Sequence, residues 1–356
     1  MAHRHVYEAI DRTLRDVRND ERPYGGLTTV FSGDWRQILP VIRKGSRADV
    51  VDACFKSSPL WQHVTVMKLT RNMRVAQSSQ EGLEEDIDFA EHLLEIGEGR
   101  VPVDKSLGQF KVQLKDCFVE QSHKLEELAK FVFPDLLENY CDPLWLSCRA
   151  ILCPTNEGVD SVNAHMMCQL PGASREYRSS DKIVDSEERH QYPEEFLNTL
   201  NPSGMAPHRI LLKHRAPIML LRNMDPIQGH CNGTRYVVNQ LHDHIIDATV
   251  ATGVHVGKRL LIPRIPLVPS ENLFPFHMQR RQFPVRIAFA MTSNKAQGQT
   301  LSRLGIYLEK DFFSHGQLYV AMSRVGNPND LKILTLCGYF NQPGVYADNV
   351  VYREVL

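Results

Sequence analysis

Phe31-Ser32-Gly33-Asp34-Trp35-Arg36-Gln37-Ile38-Leu39-Pro40-Val41 is the stretch on which the reading of this chain turns. The preceding Leu27-Thr28-Thr29-Val30-Phe31 is short, apolar and β-branched, the pattern of a buried strand. It runs straight into Gly-Asp and an amide side chain, and Pro40 stops it. In open α/β sheets ligands lie beyond the carboxyl ends of strands. A Gln there can hydrogen-bond a phosphate or a water without adding charge. Taken alone, a polar strand-end loop is the simpler account.

Upstream, residues 3–18 place Val6, Ile10, Leu14 and Val17 at helical spacing, with Arg12, Arg15 and Arg18 around them. Pro23 and Gly25-Gly26 end that helix in a turn. A helix feeding a buried strand is half of a βαβ unit. Downstream, 48–56 reads as helix, Val64 to Leu69 as a second strand, and 82–96 as a helix through Leu83, Ile87, Ala90 and Leu94. Residues 97–145 read as a bridge with one helix, 121–132, stopped before Pro134. Arg149 to Cys153 restarts the α/β pattern, and Asn156 or Thr155 caps a helix to about residue 169. From 194 to 240 the pattern turns to β. Ile218 to Leu221 and Tyr236 to Val238 are strand-like, with the hairpin signal Asn232-Gly233 between them. More strand-like pieces follow at 246–262, and prolines punctuate 263–284. Val285 to Ala290 and Leu304 to Leu308 then read as parallel strands, followed by a helix at 314–323.

The chain has 356 residues, 42% hydrophobic and 23% charged, with formal net charge -1. That composition suits a folded chain of two or three domains, and excludes a disordered or fibrous one. Bulk charge does not announce a nucleic-acid binder, so such a surface must be a local cluster. The eight cysteines form no C-x-x-C pair and read as buried thiols of a reducing compartment. No zinc or other metal-ligand set is legible. No run of eighteen apolar residues reads as a membrane span.

Three more segments carry chemistry. Leu69-Thr70-Arg71-Asn72-Met73-Arg74 puts Arg just after a strand, although a solvated Arg is the simpler account there. Ala290-Met291-Thr292-Ser293-Asn294-Lys295-Ala296-Gln297-Gly298-Gln299-Thr300-Leu301 ends a strand in hydroxyls, amides, one Lys and one Gly. Such a loop can offer N–H groups to phosphate oxygens, and an ordinary polar cap explains it equally well. Gln317-Leu318-Tyr319-Val320-Ala321-Met322-Ser323-Arg324 is a buried-helix pattern ending in Arg. That Arg suits either a transferring phosphoryl group or the helix macrodipole.

Order and spacing decide what single segments do not. The chain resembles the PIF (petite integration frequency) family of superfamily-one, RecD-like 5′–3′ DNA helicases. Gly33 to Val41 resembles motif III, G-D-F-x-Q-x-L-P-V, with Trp35 in place of Phe. Leu69 to Arg74 resembles motif IV, and Ala150 to Asn156 the opening of the second RecA-like lobe. Leu220 to Asn223 and Cys231-Asn232-Gly233-Thr234-Arg235 resemble the inserted 2B β domain. Met291 to Leu301 resembles motif V, with Ser293-Asn294 departing from the usual residues, and Tyr319 to Arg324 motif VI. The eukaryotic branch that includes Helitron transposon copies is the most similar.

The resemblance implies an α/β fold of two RecA-like parallel-sheet lobes, the first incomplete, with a small all-β insert in the second. The implied division is 1–100 for the first lobe, 101–145 for the bridge and 146–193 for the start of the second lobe. The insert follows at 194–240, with a β extension to 284 left open, and 285–356 completes the second lobe. Gln37 is then the γ-phosphate sensor, and Arg74 and Arg324 are arginine fingers. Gly33, Asp34 and Tyr319 fall on the nucleotide side. Gln297, Gly298 and Thr300 couple nucleotide to DNA. Thr292 and Lys295 contact strand phosphate, and Asn232, Gly233 and Thr234 shape the hairpin beside the strand. The implied activity is ATP-dependent 5′–3′ unwinding in repair, recombination and telomere maintenance, in the nucleus or mitochondrion. The implied ligands are ATP, Mg²⁺, single-stranded DNA and DNA junctions, with a monomeric protein.

No G-x-x-x-x-G-K-[ST] occurs in the chain, and Gly257-Lys258-Arg259 is the one Gly-Lys pair. In the family the D-E-x-x-M segment immediately precedes the first helix, and Met1 falls where its Met would be. The expectation is therefore an N-terminal truncation, with the phosphate loop and Mg²⁺ ligands missing or supplied by a separate polypeptide. The chain by itself is expected not to hydrolyse ATP. A rival expectation is a non-enzymatic DNA-binding remnant of a transposon-borne helicase, with Arg280, Arg281 and Arg286 as its basic patch. A third is an unfolded pseudogene product with an exposed sheet edge.

Overall fold

The computed structural model describes residues 2–70, 73, 84–184, 192–269 and 274–356. The chain forms two compact units. One comprises Met1–His123, Ala296–Thr300 and Ile306–Leu356, the other Lys124–Lys295 and Leu301–Gly305.

In the first unit the opening helix is Arg4–Arg18, closed by Asn19 in the left-handed conformation. Its inward face differs from the expected one. Val6, Ile10 and Val17 are exposed, and Asp11 is buried. Tyr7 stacks on Phe55 with ring centroids 4.3 Å apart. The Asp11 carboxylate accepts the Tyr24 backbone N–H at 2.6 Å and pairs with Arg15 at 2.9 Å. These two anchors turn the line Tyr7, Asp11, Leu14 toward the cluster of Tyr24, Phe55 and Leu60. A helical stripe read from hydropathy alone missed this, because an aromatic and a bonded carboxylate set the rotation.

Residues 27–31 and 64–69 form no strands. Val30, Met67 and Leu69 are 81%, 84% and 98% exposed. A strand exists through hydrogen bonds to a neighbour. Among the described residues no strand pairs with either segment. Helix Glu84–Glu98 follows, burying Phe89, Leu93 and Ile96 while Leu94 is exposed. It packs against helix Gln317–Met322. Lys111–Gln113 pairs antiparallel with Tyr346–Asp348.

In the second unit Arg149–Cys153 pairs in parallel with Ala290–Thr292. Thr155 caps helix Asn156–Gln169, where both Thr155 and Asn156 were open. Buried Asn163 on that helix donates to the carbonyls of Ile287 and Ala290 and accepts the Ala290 N–H, tying helix to strand. The expected single strand 285–290 is two. Val285–Ile287 pairs antiparallel with Pro217–Leu220, and the chain then enters the parallel pair at Ala290. Pro217–Leu220, Arg235–Leu241, Ile245–Val250 and Arg259–Pro263 complete a five-stranded antiparallel sheet with it. A three-stranded sheet joins Ile265–Leu267, Met278–Gln282 and Ser180–Ile183.

Two arginines hold this unit from within. Arg280, expected on a basic patch, is 0% exposed. Its guanidinium meets the Asp181 carboxylate at 2.6 Å and donates to the carbonyls of Ala206, Leu197 and Leu200. Arg286 pairs with Asp160. A Lys/Arg cluster in sequence does not distinguish a solvated patch from buried ion pairs. Arg235 is buried too and donates to the carbonyls of Ser147, Leu146, Arg149 and Ala288. All eight cysteines are free. Cys54 and Cys153 are buried as expected, but Cys117, Cys141 and Cys168 are exposed.

Candidate functional site

Buried Ile38 and Leu39 anchor the segment that follows Gly33. Ahead of them the chain turns at Asp34, whose carbonyl accepts the Gln37 N–H at 3.2 Å. One Asp34 carboxylate oxygen accepts the Arg36 N–H at 3.0 Å. The other accepts the Gln37 Nε2–H at 3.3 Å and the Tyr319 hydroxyl at 3.1 Å. Burial and the neighbouring Asp34 charge push the Tyr319 phenol up to about 12, so it stays a donor. Gln297 donates its Nε2–H to Gln37 Oε1 at 2.8 Å. Four residues singled out in the sequence, Asp34, Gln37, Gln297 and Tyr319, thus form one hydrogen-bonded network within the first unit.

Supports around this network were not legible. Arg36 donates to Glu98 at 2.6 Å. His315 is fully buried. Its Nδ1 accepts the Tyr352 N–H and its Nε2 donates to the Trp35 carbonyl, each at 2.8 Å, which fixes the neutral tautomer. Gly316 has φ +72, and a Cβ there would lie 2.3 Å from the Arg36 carbonyl oxygen. The one sequence signal was a His-Gly pair ahead of a helix, which says nothing about a partner 280 residues away.

Arg324 is 3% exposed. Its guanidinium donates to the carbonyls of Val320 at 2.7 Å and Gln299 at 3.2 Å, and to the Ser323 hydroxyl at 2.7 Å. The implied arginine finger is here a clasp on the 296–300 segment. Gly298, φ +83, and Thr300 are exposed at its turn. Gly33 is exposed, with open space around its Cα. Arg74 lies outside the described residues.

In the second unit, Lys295 Nζ donates to Asn232 Oδ1 at 3.0 Å. The Asn232 N–H is held by Asn223 Oδ1 at 2.8 Å. Gly233, φ +92, lies in a turn closed by the Thr234 N–H on the Cys231 carbonyl at 3.1 Å, at the end of the 221–234 connection. Thr234 donates its hydroxyl to the Gly229 carbonyl at 3.0 Å, so it braces the loop. The structure therefore joins Lys295 to the Asn232 turn. Thr292 is half-buried at the end of its strand, just ahead of the Ser293–Ala296 turn of helix that carries Lys295.

ATP with Mg²⁺ asks for a phosphate cradle and carboxylate ligands. The first unit supplies one polar group that could answer a phosphate, the second Nε2 hydrogen of Gln37, whose first is given to Asp34. Among the described residues no three His, Cys, Asp or Glu side chains gather as a metal site. Among the described residues these groups do not by themselves make such a cradle.

Known proteins resemble this chain in sequence and in fold. The family profile for PIF1-like helicases matches residues 1–106, and that for the 2B domain of the DNA helicase Pif1 matches residues 195–241. The ATP-dependent DNA helicase PIF1 of Xenopus laevis is 27% identical over 336 residues, covering 92% of this chain and 44% of its own length. That of Danio rerio is 25% identical over 341 residues, covering 94% and 45%. The chain thus spans less than half the length of these curated relatives. Among solved structures, Bacteroides Pif1 bound to single-stranded DNA superposes with a TM-score of 0.62 at 22% identity, over 94% of this chain and 68% of that one. That likeness shows a shared fold. With motif-bearing segments in the family's order, an α/β architecture with antiparallel β sheets, and a profile match in each of two segments, this chain is similar to PIF1-like helicases over residues 1–106 and to the Pif1 2B domain over residues 195–241.

Proposed function

We propose that this chain is the nucleotide-responding and DNA-contacting portion of an ATP-dependent 5′–3′ DNA helicase. The observation that carries the reading is the bond from Gln297 to Gln37. It joins two segments 260 residues apart that the family resemblance assigns to nucleotide sensing and to coupling with DNA. A phosphate that accepts the free Nε2 hydrogen of Gln37 would act on an amide already bonded to Gln297. In the second unit the Lys295–Asn232 pair offers a cation and amides suited to strand phosphate. The proposed ligands of the complete motor are ATP, Mg²⁺ and single-stranded DNA, and its proposed roles are repair, recombination and telomere maintenance.

A second reading has a specific observation behind it. The sequence contains no phosphate loop, so this chain alone would be a single-strand-binding protein without turnover. Reading the transcript upstream of the Met1 codon separates the two. An in-frame G-x-x-x-x-G-K-[ST] followed by Asp-Glu supports the motor. In-frame stop codons there overturn it and leave the binding protein.

A further inference from the structure

The Gln37 carboxamide has a defined polarity. An aspartate carboxylate only accepts hydrogen bonds, so the Gln37 atom facing Asp34 Oδ2 at 3.3 Å is the nitrogen. The oxygen then faces Gln297, whose Nε2–H it accepts at 2.8 Å. The same Asp34 oxygen also receives the Tyr319 hydroxyl, and the other receives the Arg36 N–H. Three donors therefore converge on Asp34 and leave it no reason to rotate. With one Oε1 lone pair taken by Gln297 and one Nε2 hydrogen taken by Asp34, the donor that Gln37 has left to offer is the second Nε2 hydrogen.

We infer that Asp34 is a positioning residue that sets Gln37 as a hydrogen-bond donor toward an anionic oxygen. Gln297 has its own Oε1 buried without a partner. This assignment rests on the nucleotide-sensing reading above for the identity of the anion, and on geometry alone for the polarity.

The test exchanges donor and acceptor. Gln37→Glu sets two acceptor-only carboxylates against each other, and should raise the unfolding equilibrium constant about tenfold. The Asp34→Asn/Gln37→Glu double variant restores a donor facing an acceptor. The amide introduced at position 34 can donate to the carboxylate introduced at position 37, while the Tyr319 hydroxyl turns to accept. The double variant should recover most of the loss in urea unfolding. If it is no more stable than Gln37→Glu, the polarity is wrong and the proposal falls.

A second readout separates positioning from packing. In the ¹⁵N-glutamine-labelled chain, titration with inorganic pyrophosphate should shift the side-chain amide cross-peaks of Gln37 and of its neighbour Gln297. Gln37→Glu removes the N–H that would donate, so in the rescued double variant the Gln297 cross-peak should give no pyrophosphate response. A Gln297 response equal to wild type in that variant would overturn Gln37 as the donor. Rescue of stability with no shift in wild type would leave the polarity standing and overturn the nucleotide-sensing reading.

Discussion

The Arg324 guanidinium donates to the Gln299 carbonyl at 3.2 Å, so the arginine at the end of one motif-bearing helix grips the loop of another. It also reaches the Val320 carbonyl and the Ser323 hydroxyl. Arg324→Ala should therefore lower stability by about 2 kcal/mol with no nucleotide present, since buried carbonyls lose their donors. Urea unfolding checks this. An arginine that acts only on a bound phosphoryl group would leave the unfolding midpoint unchanged.

His315 supplies a pH dependence with a worked sign. Burial holds its imidazole below the ordinary value of 6.5, with Arg47 pushing the same way. The bond to the Trp35 carbonyl and the charges of Asp34 and Glu354 oppose the shift without cancelling it. Because the folded value is the lower one, the unfolded chain takes up the proton first as pH falls. The contribution is full above about 6.5 and is lost as pH falls from there through the folded value. His92 is shifted in the same direction, also chiefly by burial. His315→Gln can donate to Trp35 and accept from Tyr352 without titrating. Its unfolding midpoint should vary less between about pH 8 and pH 5 than that of wild type. Equal slopes in both chains would show that His315 is not the group responsible.

Arg235 holds four backbone carbonyls, three from the 146–149 segment and that of Ala288. Burial pulls its guanidinium down to about 10, still charged at neutral pH. Lysine has three donors on one atom and cannot span those acceptors. Arg235→Lys is expected to cost about 3 kcal/mol, with amide exchange accelerating at Ile151 and Leu152. A cost near zero would mean that water replaces the guanidinium.

Lys295 is expected to touch a strand phosphate. Lys295→Ala should weaken single-strand binding similarly for every sequence and reduce the magnitude of the salt slope by about one. Anisotropy titrations at several salt concentrations measure both. A sequence-dependent loss with an unchanged slope would place Lys295 on a base instead.

Local signals were legible wherever one segment contained its own cause. Arg149–Cys153 formed a strand, Thr155 capped its helix, and Asn232-Gly233 formed a turn, although the strands it was expected to join are linked by the longer segment 221–234. What failed depended on something elsewhere in the chain. Residues 27–31 and 64–69 had strand composition, but pairing is a property of two segments. The inward face of Arg4–Arg18 depended on Phe55 and Tyr24, and Arg280 was buried because Asp181 lay across the sheet. The site shows the same division. Gln37 and Gln297 were marked by the order of motifs, yet neither segment announced that the two amides would meet. The order of the segments carried the resemblance, and the hydrogen bonds among them needed the fold.

Single-strand binding by the chain as it stands is the most direct test of the proposed function. A labelled oligothymidine, titrated with the purified 356-residue protein by fluorescence anisotropy without nucleotide, is the measurement. The expected result is saturable binding whose logarithm falls linearly with the logarithm of salt concentration. A folded chain that leaves the oligonucleotide unbound at low salt would contradict the proposed function.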